Sequence, residues 1–145
     1  MSAIGENLYT VLTASTEIAA VFTAAGSNVA DNGAVEQNRM RQAPPDPRIW
    51  YRRDLQNEER DLDGDGGIID SMWDVECQSE TLDTAEDLAE AVRDKLDGYR
   101  GSFGTQTALG CFVEDHDDDY EPKGVGGEQG VHVCALRLQA IIRSD

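Results

Sequence analysis

Met72-Trp-Asp-Val-Glu-Cys-Gln-Ser-Glu-Thr-Leu-Asp-Thr-Ala-Glu-Asp-Leu-Ala-Glu-Ala-Val-Arg-Asp-Lys-Leu-Asp-Gly-Tyr-Arg-Gly-Ser-Phe103 decides the fold. Its first part alternates apolar and polar residues with the period of a strand, and Trp73, Val75 and Cys77 share one face. Read backward to Ile69, the strand covers residues 68–78. Thr81 or Asp83 then caps a helix, and Asp83 with Glu86 has the spacing of a capping box. Ala85, Leu88, Ala89, Val92 and Leu96 form an apolar stripe that Gly98 ends. A Tyr-Arg-Gly turn follows. Nothing in the stretch is reactive, so it specifies architecture.

Upstream, Ile4, Leu8, Val11 and Leu12 fall on one helical face, and Ile18, Val21 and Phe22 resume the pattern after Ser15-Thr16. The pattern fits one broken helix or two short ones, ending near Ala25-Gly26. Residues 34–40 read as a first strand. The Ala43-Pro-Pro-Asp-Pro47 cluster forbids regular structure, and residues 48–53 read as a second strand. Residues 54–67 read as a long polar loop. Downstream, residues 105–114 read as a fourth strand and 115–130 as a mobile acidic loop. Residues 131–143 read as the last strand, with His132, Cys134, Leu136, Leu138, Ala140 and Ile142 turned inward. The expected fold is one α+β domain over residues 1–145. About five mainly antiparallel strands carry two helices on one face, in the order α-β-β-β-α-β-β.

Charge suggests a register for the second and third strands. With Arg53 opposite Ile69, Arg48 faces Asp74, Trp50 faces Met72 and Arg52 faces Asp70, all away from the helices. Ile49 then faces Trp73 on the core side. Opposed charges across a ladder contribute roughly 0.2–1 kcal/mol each. Trp50 between Arg48 and Arg52 is either a strand residue with cation–π support or, with Met72 and Asp74, part of a subunit or tube contact.

The chain has 29 acids and 12 bases among 145 residues, a net charge of −17. Such a surface repels nucleic acid. Solubility, a high-salt host, or a wall past which DNA slides would each account for it. No run approaches the roughly 18 apolar residues of a membrane span. Without a basic start resembling a secretory signal, the expected site of synthesis is the cytosol.

Cys77, Cys111 and Cys134 are odd in number and lie within apolar runs, which fits buried core residues. With His132 they would make four zinc ligands if the strands converged, but no close pair supports this. Cys134 and His132 share a strand face, with no third group to complete a nucleophile. Asp61-Leu-Asp63-Gly-Asp65-Gly-Gly-Ile68 matches the first two-thirds of a calcium loop, with Asp61, Asp63 and Asp65 as ligands. Its twelfth position is Met72 instead of Glu. The motif reads either as a weak calcium site or as a solvated turn, and no other cofactor is expected. The run Glu114-Asp-His-Asp-Asp-Asp-Tyr-Glu121 reads as a solvated loop, or as a second cation site or a contact for a basic partner.

Taken in order, these segments resemble the phage tail-completion, or tail-terminator, family. The resemblance rests on the opening Ile4-Gly-Glu-Asn-Leu-Tyr-Thr-Val-Leu-Thr-Ala14, the Pro-preceded strand from Asn38 to Arg52, and Asp61-Leu-Asp-Gly. It continues through Trp73-Asp-Val-Glu-Cys-Gln-Ser79, the helix from Ala85 to Gly101, Phe112-Val-Glu-Asp, Tyr120-Glu-Pro and the closing strand. It implies a non-enzymatic protomer that forms a hexameric ring with itself. That ring would cap the head-proximal end of the tail tube, stop its growth and meet the head-tail connector or stopper protein. DNA would pass through unbound, with no membrane involved. Localisation would be the virion's tail-head junction, and the host cytoplasm during assembly. Other readings are a neighbouring connector or stopper protein, a calcium-dependent binding module and an acidic DNA mimic.

Overall fold

Ser15 splits the N-terminal helical run. Its Oγ accepts a hydrogen bond from Ile18 N at 3.3 Å, capping α2 (Thr16–Ala24) immediately after α1 (Ala3–Ala14). The computed structural model describes residues 3–37, 45–59, 67–121 and 130–143, with 3, 55–59, 116 and 117 described by backbone alone. The remaining elements are β1 (Val35–Gln37), β2 (Arg48–Glu59), β3 (Ile68–Ser79), α3 (Leu82–Leu96), β4 (Gly101–Phe103), β5 (Gln106–Glu121) and β6 (Val131–Arg143). Six strands form one sheet in the order β1-β2-β3-β6-β5-β4. Every pairing is antiparallel except β1 with β2, which is parallel.

The α+β class stands, with three helices and six strands among the described residues in place of two and about five. The added strand, β4, comes from the stretch read as a turn. Gly104, at φ +61°, closes a hairpin that returns Phe103 to Gln106. Two strands outrun their expected ends. β2 continues to Glu59 past an irregularity at Asp54, and β5 continues to Glu121 past one between Asp115 and Asp118. The acidic stretch up to Glu121 is therefore strand. Its backbone pairs with residues 131–136 of β6, while the described carboxylates stay exposed. At the start of α3, Thr81 occupies the N-cap with no side-chain bond, so the Asp83–Glu86 box does not form there.

The β2–β3 register differs from the charge-based one by four residues. Arg48 pairs with Gln78, Ile49 with Cys77, Trp50 with Glu76, Arg52 with Asp74 and Arg53 with Trp73. A four-residue slip preserves the faces, so Ile49 and Trp73 still point to the core. Apolar packing decides the register, because it matches Ile49 and Tyr51 to Cys77 and Val75.

The core lies between the sheet and the helices. Trp73 is fully buried, and its Nε1 donates to Ser71 Oγ (2.9 Å), which donates to Ala140 O (3.1 Å). Tyr51 stacks at 5.8 Å on Trp73 and donates its hydroxyl to Gly5 O at 2.8 Å, pinning α1 to β2. At the other side of α1, Asn7 Nδ2 donates to Thr105 Oγ1 and Gln106 Oε1, and Asn7 Oδ1 accepts from Thr105 N. One helix thus ties β2 to the β4–β5 turn, so the sheet curls around it. The apolar stripe of α3 is buried against β3, β5 and β6. No described helix is long and apolar enough to cross a membrane.

Candidate functional site

α1 and α3 pack on one face of the sheet and α2 packs against them, which leaves the other face without a helical layer among the described residues. Strand alternation places Trp50 and Arg52 of β2, Met72, Asp74 and Glu76 of β3, Arg137 and Gln139 of β6, and Phe112 and Glu114 of β5 on that bare face. Arg52, Asp74, Arg137 and Glu114 stand side by side across four strands, a row of alternating sign. Arg52 lies 3.7 Å from Asp74, and Arg137 lies 3.6 Å from Asp74 and also pairs with Asp54. Trp50 flanks the row on one side, with Arg52 Cζ 5.6 Å from its ring centre. Met72, Gln139 and a half-exposed Phe112 flank it on the other.

Such a row adds little to the protomer's stability. Solvent-exposed pairs are worth about 0.2–1 kcal/mol each, and the Arg52 side chain is 57% exposed. Its hydrogen bonding is also incomplete. Trp50 Nε1, Asp74 Oδ1 and Arg137 Nε are shut off from water without a hydrogen-bond partner. Buried polar atoms are normally satisfied, so these three atoms are an energetic cost within the row.

Arg48 belongs to the same face but is spent inside the protomer. It is 9% exposed, its Nε donates to Gln78 Oε1 at 2.8 Å and its Nη1 donates to Pro45 O at 3.3 Å. Gln78 Nε2 in turn donates to Glu76 Oε1 at 2.9 Å. Burial raises the Glu76 carboxyl above its ordinary range, against the opposing effect of the Gln78 bond.

The reactive-residue candidates meet the wrong surroundings for catalysis. Cys77, Cys111 and Cys134 are buried and free. Burial, and then Asp118, Glu86 and Asp115, push the Cys134 thiol up to about 11, opposite to what a thiolate nucleophile needs. Burial alone pushes Cys111 to about 11. His132 stacks at 4.7 Å on Tyr120. Among the described residues no group of three metal-ligating side chains comes together. Asp61, Asp63 and Asp65 lie outside the described residues.

The candidate residues thus form a mixed polar and aromatic row on an open sheet face. Residues 6–143 match the sequence profile of the family described as "Tail completion protein gp17". The chain belongs to this tail completion protein family. Its members are phage tail structural proteins, which fits a domain whose polar residues are arranged on a face instead of a cleft. No curated protein matches the chain. Among solved structures, a chain of the "Virion of native gene transfer agent (GTA) particle" shares the fold, with a TM-score of 0.60 at 15% identity. The match covers 99% of this tail completion protein and all of that chain.

Of the residues marked in the sequence, Trp50, Arg52, Met72 and Asp74 come together on the bare face. Sequence reasoning missed Arg137, and it marked Glu114 only as the start of an acidic run, not as part of this row. The alternation of β6 turns Arg137 away from the inner face, so its orientation was legible, but its neighbours were not.

Proposed function

We propose that the protein is a tail terminator. Six copies form a ring that caps the head-proximal end of the tail tube, ends tube growth and offers the head connector a surface. Family membership over residues 6–143 carries the reading. Two features support it: the charge row with exposed Phe112 on the bare sheet face, and acidity suited to a ring past which DNA slides without sticking. The row serves as the contact between neighbouring copies or with the tube, with Trp50 and Phe112 as its large side chains.

Sedimentation of the purified protein at about 0.5 M salt, with and without tail tube protein, tests this reading. The expected species has about six times the 15.8 kDa protomer mass, alone or on tube ends. A monomer under all conditions that also leaves tube length unchanged in vitro contradicts the reading.

A further inference from the structure

We propose that Cys77 and Cys134 are a modification site, a dithiol that peroxide closes into a disulfide between β3 and β6. The two residues are direct partners in the β3–β6 ladder. Opposed residues of an antiparallel pair point to one face of the sheet, with Cα atoms about 4.5 or 5.5 Å apart. A disulfide spans Cα atoms roughly 4.4–6.8 Å apart, so closure needs no shift of register. Both side chains lie on the core side, Cys77 at 0% and Cys134 at 4% exposure, and both are free thiols. β3 and β6 are the two central strands of the sheet and are joined in sequence through α3, β4 and β5. A bond between them closes a long loop and restricts the unfolded chain.

The two thiols differ in access. Cys134 lines a cleft of about 370 Å³ between α3 and the sheet, walled by Glu86, Glu90 and Arg93 of α3 and by Asp115 and Asp118 of β5. Cys77 is sealed in the core behind it. A small oxidant therefore meets Cys134 first. Cys111 has no such partner. It pairs with Ala140 of β6, roughly 20 Å along that strand from Cys134.

The chemistry runs in two steps. Cys134 gives its proton to solvent, and its sulfur attacks one oxygen of hydrogen peroxide. The O–O bond breaks, hydroxide leaves with the electron pair and takes up a proton, and Cys134 becomes a sulfenic acid. The Cys77 sulfur then attacks the Cys134 sulfur. The S–S bond forms, the S–O bond breaks, and the hydroxyl leaves as water with the Cys77 proton. Two thiols and one peroxide thus give one disulfide and two waters. The surroundings make the first step slow. Burial, and then Asp118, Glu86 and Asp115, push Cys134 up to about 11, so thiolate is scarce at neutral pH. Arg93 is paired with Asp115, and Glu90 adds a further carboxylate to the cleft. Burial, and then the neighbouring Cys134, raise Cys77 as well. A reducing cytosol keeps such a pair open, and an oxidising medium closes it. None of this depends on the ring, because the pair lies on the face opposite the charge row.

The test treats the folded, full-length protein with millimolar hydrogen peroxide, alkylates the remaining thiols and maps the peptides by mass spectrometry. The expected product is one linked pair of peptides holding Cys77 and Cys134, with Cys111 alkylated. The rate of linking should rise about tenfold per pH unit between pH 7 and pH 9, as the thiolate fraction of Cys134 rises. Cys77→Ala should stop at a sulfenic acid on Cys134, which dimedone traps. Cys134→Ala should leave Cys77 unreacted, because peroxide does not reach it. If either variant fails to fold, the map of the wild-type chain decides alone. Both thiols persisting in the folded protein would overturn the proposal. So would sulfinic acid at Cys134 without the link, or a link that forms only once urea has unfolded the chain.

Discussion

Arg137→Met separates a residue that holds the protomer together from one that holds copies together. Arg137 pairs with Asp54 and, at 3.6 Å, with Asp74, and its side chain is 36% exposed. Two such pairs at about 0.2–1 kcal/mol each, less what the methionine stem keeps by packing, give a loss of roughly 0.5–2 kcal/mol. An unfolding entropy of about 2 cal/mol/K per residue makes 1 kcal/mol worth about 3 °C in a chain of 145 residues. The monomer's Tm should therefore fall by about 2–7 °C, with an unchanged urea m-value. The charge row is interrupted at its centre, so the concentration for half-assembly should rise at least tenfold. Urea melts at micromolar protein and sedimentation across a dilution series measure the two effects separately. A monomer loss above about 4 kcal/mol would make Arg137 part of the internal framework and refute the exposed-pair estimate. An unchanged assembly curve would remove the row from the contact.

Other perturbations probe the fold and the ring. Tyr51→Phe removes the hydroxyl bond to Gly5 O but leaves the ring on Trp73, so urea melts should show a loss of about 0.5–1.5 kcal/mol. Burial raises the Tyr51 phenol, so its contribution is full below about pH 10 and is lost as pH climbs through the higher folded value. The variant should lack that part of the alkaline decline. Burial also raises Glu76, whose contribution is full below about pH 4.5 and lost as pH rises through its folded value. Glu76→Gln should therefore raise Tm at pH 7, with the gain vanishing below pH 4. Gly104→Ala forces a φ of +61° on alanine and sets its Cβ 2.0 Å from Asn7 Oδ1, so it should cost about 2–4 kcal/mol in a urea melt. Copies carrying −17 each repel one another, so ring assembly should fail near 10 mM salt without divalent ions and recover near 0.5 M by sedimentation.

Residues with a clear period gave away their elements. Trp73, Val75 and Cys77, the α3 stripe and the inner face of β6 from Cys134 to Ile142 lie where the sequence pattern puts them, while His132 is only half-buried beside Tyr120. The β2–β3 faces were legible for the same reason, while the register was not. Surface charges such as Arg48 and Asp74 fit several pairings at similar energy, and the packing of Ile49 and Tyr51 on β3 chooses among them. The strand character of Asp118–Glu121 was hidden because carboxylates have low strand propensity, which pairing with β6 overrides. β4 was hidden because three residues carry too little pattern, and its hairpin depends on Gly104 and the Asn7 bonds from distant α1. Of the candidate surface, Trp50, Arg52, Met72 and Asp74 were readable from alternation. The row that links them to Arg137 and Glu114 requires the order β2-β3-β6-β5, a long-range property that no local window contains.

The central claim, that this protein ends the tail tube and readies it for the head, meets its most direct test in the virus. The gene is deleted and lysates are imaged by negative-stain electron microscopy. The account predicts filled heads beside separate tail tubes of excessive and variable length. Tails of normal length, whether attached to heads or free, would contradict it.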